Sequence, residues 1–112
     1  MLKDQKPSTR QRFVAIELDF PPAQHEAAIV VHESGVERGT AVGLVELAQR
    51  LRALRDRGLA EVPSTRLLIA AARLIAGGIP VRSACIGAIV APLSDDAALL
   101  AAMRDLVDAS FT

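Results

Sequence analysis

Two identical tetrapeptides each end in an arginine: Pro7-Ser8-Thr9-Arg10 and Pro63-Ser64-Thr65-Arg66. The second precedes an apolar run, Leu67-Leu68-Ile69-Ala70-Ala71-Ala72. Ser64 is therefore the expected N-cap of a helix, and Arg66 falls in its first turn. A cation there opposes the positive end of the helix dipole, at a cost of a few tenths of a kcal/mol. Two readings stay open. Arg66 is a solvated surface charge, the default for arginine, or helix amides and a guanidinium converge on a phosphate. Arg10 and Arg12 present the same choice. They form a basic loop, or an arginine held at the edge of a rigid strand and aimed at a neighbouring molecule, a task suited to its fixed charge and planar fork of donors.

The remaining reactive side chains form no complete site. His25 and His32 are seven residues apart and share a helix face, but two ligands without a third make a poor metal centre, so no metal site is assigned. Glu17 and Asp19 share one strand face, and a solvated or partner-facing surface explains them. Cys85 is the only cysteine, which excludes an internal disulfide and suits a small buried apolar residue. No Walker-type phosphate loop occurs in the sequence.

Composition bounds the rest. With 112 residues the chain allows one domain at most. Apolar residues make up 51% but aromatics only 3%, so the core must be aliphatic and rich in Ala and Leu, which favour helix. The formal net charge is zero, which argues against nucleic acid or an anionic membrane as the main partner. The start is polar and basic, and every apolar run is broken by charge, Gly or Pro. A cytoplasmic location is expected.

These residues must be positioned by one strand and about five helices, a mainly α architecture. Residues 13–20 alternate in strand fashion, with Val14, Ile16, Leu18 and Phe20 on one side. A lone strand needs partners from elsewhere. Helices are expected from Pro22 to Glu33, stopped by Gly35, and from Arg38 to Arg57, closed by Gly58. The second carries a stripe of Leu44, Leu47, Ala48, Leu51 and Leu54, with Arg52 among the polar residues lying elsewhere. The Ser64-capped helix, apolar almost all round through Ile75, is expected to be central and buried, with Arg66 and Arg73 on one face. Gly77-Gly78 ends it. A fourth helix runs from Pro80 to Ala91 and stops at Pro92. A fifth starts at Ser94-Asp95-Asp96, read as a cap with two acids in the first turn. Its inner face is Leu99, Met103, Leu106 and Val107.

An ordered series of segments resembles a known family. Leu2-Lys3-Asp4, then Pro7 to Phe13 and the strand to Phe20-Pro21, look like the late part of a MoxR-type AAA+ ATPase, and more narrowly of the CbbQ/NirQ/NorQ group. Val31-His32-Glu33-Ser34-Gly35-Val36, Ser64-Thr65-Arg66-Leu67-Leu68 and Pro92-Leu93-Ser94-Asp95-Asp96 resemble that group's helical lid. The resemblance implies that residues 1–21 close the AAA+ core and residues 22–112 form the lid. It implies that Arg12, with Arg10 as second candidate, is the arginine finger reaching a neighbouring subunit's nucleotide. Such a finger contributes roughly 10³–10⁵ in rate. It implies that Arg66 is sensor 2, touching the γ-phosphate of ATP held with Mg²⁺. Full-length relatives form hexameric rings and act, with a von Willebrand factor A partner, as activation or assembly chaperones for a metalloenzyme or rubisco. Walker A, Walker B and sensor 1 are absent here, so the chain reads as a C-terminal piece, inactive in ATP hydrolysis alone and holding no nucleotide tightly. A stand-alone helical protein-interaction module is the alternative.

Overall fold

A computed structural model describes residues 20–57, 59 and 61–111. Five α-helices account for most of them: α1 Ala23–Ser34, α2 Arg38–Ala53, α3 Thr65–Ala76, α4 Val81–Cys85 and α5 Ala97–Ser110. No strand occurs among the described residues. The strand expected over 13–20 lies outside them except for Phe20, which is in neither helix nor strand. Gly58, the expected stop of the second helix, also lies outside them.

The helix boundaries follow local chemistry. Gly35 ends α1 in a left-handed conformation, φ 82°, and donates its N–H to Val31 O at 2.8 Å. Ser34 supports that turn by donating to Val30 O and accepting from the Val36 N–H. α2 tightens into a 3₁₀ turn over Leu54–Arg57 rather than continuing as α-helix to Arg57. α3 closes in a Schellman motif: Gly78 takes φ 106° and donates to Ile75 O, while Ile79 donates to Leu74 O.

Three expectations need correction. α3 is amphipathic, not buried all round. Leu68, Ala71 and Ala72 face the core, whereas Ala70 and Leu74 are exposed, because neighbouring helices cover only one side of it. The fourth helix is not a uniform α-helix. After Cys85 it widens into a π turn over Ile86–Val90, with Ala91 N–H donating to Ile86 O, then narrows to 3₁₀ over Ala91–Leu93. Pro92 has no N–H and would collide with the carbonyl four residues back, so a regular helix cannot run through it. Finally, Asp96 is itself the N-cap of α5, accepting from Leu99 N–H at 3.0 Å, and Ser94 Oγ accepts the Asp96 N–H. Neither aspartate lies inside the first turn.

The core draws on every helix: Ala27 and Val30 of α1, Leu44, Leu47 and Leu51 of α2, Leu68 of α3, Cys85 and Ile89, and Met103 and Val107 of α5. α1 lies against both α2 and α3, and the π turn sits between α3 and α5. Half-buried Phe111 seats against α2 at Gly43, where a Cβ would come within 2.9 Å of its ring. Arg50 secures the same junction by donating to Ser110 Oγ.

Candidate functional site

The start of α3 is bonded through polar side chains to both α1 and α2. Ser64 is the N-cap as the sequence implies, but its Oγ accepts the Leu67 N–H at a long 3.4 Å. Local capping alone therefore holds this turn loosely. The firmer bonds are tertiary. Thr65 Oγ1 donates to Glu26 Oε2 at 2.8 Å, and Arg52 Nε donates to Pro63 O at 3.0 Å. The residues on either side of the cap are thus tied to α1 and α2.

Glu26 and Arg52 hold each other. Arg52 donates through Nη1 to Oε1 at 2.9 Å and through Nη2 to Oε2 at 2.6 Å, a two-pronged pairing that matches the guanidinium to the carboxylate. Their side chains are only 12% and 1% exposed. Phe20 lies flat on the guanidinium, its ring centre 3.5 Å from Arg52 Cζ. The charges also suit their places: Glu26 is in the first turn of α1 and Arg52 in the last turn of α2. Glu26 is the only buried charged residue among those described.

Arg66 follows Thr65 directly and is exposed, with no ion pair or side-chain hydrogen bond among the described residues. Arg73, expected on the same face, is also exposed but engaged, donating to Glu33 O and Glu33 Oε1. Arg10 and Arg12 lie outside the described residues, as do Glu17 and Asp19. His25 and His32 are exposed on α1. Among the described residues no three His, Cys, Asp or Glu side chains converge on a metal position. Cys85 is fully buried, and desolvation pushes its thiol up to about 11. It is the inert core residue the composition suggests. A groove of about 450 Å³ opens between Glu61, in the connector that leads from α2 to α3, and the start of α5, and Asp95 and Asp96 line it as well. It excludes Arg66 and would repel a phosphate.

The sequence reading missed Glu26, Arg52 and Thr65. A signal was present. Glu26 sits four residues before Val30 and beside Ala27, on the core face of α1. A carboxylate in that register requires a buried partner.

The family described as CbbQ/NirQ/NorQ C-terminal matches residues 26–110. The denitrification regulatory protein NirQ of Pseudomonas aeruginosa is 56% identical over 108 residues, 96% of this chain and 42% of its own length. Protein NorQ of Paracoccus denitrificans is 47% identical over 99% of this chain and 41% of its own. Protein CbbQ of Hydrogenophilus thermoluteolus is 48% identical over 92% of this chain and 39% of its own. The chain thus spans about two fifths of the length of these relatives. No helix among the described residues is long and apolar enough to cross a membrane.

Proposed function

Because the chain belongs to the CbbQ/NirQ/NorQ C-terminal family, we propose that it is the helical lid region of an AAA+ ATPase that acts as an activation or assembly chaperone for a client enzyme. The observation that carries this reading is Arg66. It is an exposed guanidinium in the first turn of a capped helix, within a segment matched to that family. A helix start and an arginine together suit one anionic oxygen of a phosphate chain. In this reading Arg66 is sensor 2 and touches the γ-phosphate of ATP bound with Mg²⁺ on the same subunit. Arg12, or else Arg10, reaches the nucleotide of a neighbouring subunit in a hexameric ring. ATP supplies the phosphoryl group whose hydrolysis drives remodelling of the client. This chain's share is to orient that group and to offset its growing charge. Residues 1–21 complete the ATPase core, residues 22–112 form the lid, and a von Willebrand factor A protein and the client are the partners.

The test is a chimera in which this chain replaces the matching segment of Pseudomonas aeruginosa NirQ. The chimera should hydrolyse ATP, the 112-residue chain alone should not, and Arg66→Ala and Arg12→Ala should each lower turnover at least tenfold, against roughly 10³–10⁵ for a complete arginine finger. Turnover by the isolated chain, or a chimera indifferent to both substitutions, overturns the reading. A monodisperse chain whose chimera has no nucleotide activity would instead support a stand-alone helical interaction module.

A further inference from the structure

The tertiary bonds around Ser64 bear on how Arg66 is held. We propose that Glu26, Arg52 and Thr65 are positioning residues for Arg66, and that the network they form sets the first turn of α3 from the rest of the domain. This rests on the reading of Arg66 as a phosphate contact.

The geometry has three parts. First, the side-chain cap is weak, with Ser64 Oγ 3.4 Å from Leu67 N. The Leu67 N–H also donates to Ser64 O at a shorter 3.1 Å, so the start of α3 is held locally by backbone bonds with little help from the cap side chain. Second, the network grips the chain on both sides of that cap, at Pro63 O and at Thr65 Oγ1, by bonds of 3.0 and 2.8 Å. Two anchors flanking one residue restrict both translation and rotation of the turn. Third, the anchors are charged groups that cannot easily relax. Glu26 is 1% exposed, and both its oxygens are occupied by Arg52 and Thr65. Leaving any of these partners unmade strands a buried polar group.

Phe20 extends the network in the other direction. It stacks on Arg52 and is the residue by which the chain arrives from residues 1–19. A single arginine therefore touches the segment leading into the lid, the carboxylate of α1 and the connector before α3. A shift of Phe20 relative to the helices has a direct physical route to the turn bearing Arg66.

Thr65 offers the cleanest test, since removing its hydroxyl leaves the Glu26–Arg52 pair intact. In the 112-residue chain, amide hydrogen exchange is read by NMR at Leu67 and Leu68, whose N–H groups donate to Ser64. Thr65→Val should speed exchange there about tenfold, the low end for losing a hydrogen bond to a charged group, with Ala71 and Ala72 unchanged. Thr65→Ser, which keeps the hydroxyl, should restore protection. Unchanged exchange, or an equal loss across all helices, overturns the proposal.

The NirQ chimera supplies the second readout. Thr65→Val should raise the KM for ATP in the same sense as Arg66→Ala, with kcat/KM reduced on the order of tenfold, less than the roughly 100-fold that a 1 Å misplacement can cost. Thr65→Ser should again rescue. If Arg66→Ala impairs the chimera and Thr65→Val does not, positioning fails while the phosphate reading stands. If Arg66→Ala is silent, both fail.

Discussion

Substituting Arg52 by methionine should be among the most damaging single changes in the described fold. The substitution keeps much of the side chain's length and removes its charge. It leaves Glu26, 1% exposed, with a carboxylate whose only remaining partner is the Thr65 hydroxyl at 2.8 Å. Breaking a buried pair in this way costs about 3–5 kcal/mol, because the stranded charge keeps its desolvation penalty without its attraction. Loss of the Phe20 stacking adds about 0.5–1 kcal/mol. A domain of this size has only about 5–15 kcal/mol of stability in total. At about 5 °C per kcal/mol the melting point should fall by about 18–30 °C. Urea unfolding followed by far-UV circular dichroism is the suitable assay, since the chain contains no Trp or Tyr to report by fluorescence. The companion double variant, Arg52→Met with Glu26→Leu, removes both charges and should recover most of the loss, to within about 1–2 kcal/mol of the parent. Arg73→Met serves as the control. Its pair with Glu33 is 62% and 45% exposed, and exposed pairs contribute about 0–1 kcal/mol. A loss below about 1 kcal/mol for Arg52→Met, or a double variant no better than the single, would refute the argument that a buried charge pair holds α1, α2 and the α3 start together.

Further substitutions probe packing and burial elsewhere in the domain. Gly39→Ala, with open space around the new Cβ, should stabilise by about 0.5–1 kcal/mol, whereas Gly43→Ala meets the Phe111 ring at 2.9 Å and should show no gain or a net loss in the same urea series. Cys85 makes stability fall at alkaline pH: burial raises its thiol from 9.0 to about 11, so the folded state retains a proton that the unfolded chain has released. Its contribution is fully present below pH 9 and is lost toward pH 11 at about 1.4 kcal/mol per pH unit. Cys85→Ala should flatten that slope, and a slope unchanged in the variant would assign it to other groups.

The ends of α1 and α3 were legible because they are written in residues whose backbone behaviour is local. Pro22 and Gly35 bracket α1, and Gly77-Gly78 closes α3, because proline sets φ and glycine accepts the left-handed turn wherever the chain places them. The α2 stripe of Leu44, Leu47, Ala48 and Leu51 is likewise a matter of helical period, and all four are buried. Cys85 was readable as core for a different reason: a lone cysteine behaves as a small apolar residue, and it is fully buried. The exposed side of α3 was not legible. Apart from Thr65, Arg66 and Arg73 its residues are all apolar, and only the arrangement of α1, α2 and the π turn decides that Leu68 is covered and Leu74 is not.

The polar network shows the division most clearly. By itself the sequence determined that a helix starts at Ser64 and that Arg66 sits in its first turn, since both depend on neighbours within four residues. Only the tertiary structure decided what holds that turn. Glu26 and Thr65 are 39 residues apart, and Glu26 and Arg52 are 26 apart. No local period links them, and the packing of α1 against α2 and α3 is what brings the carboxylate, the guanidinium and the hydroxyl to one buried point. There a low dielectric makes their pairing strong and their separation costly.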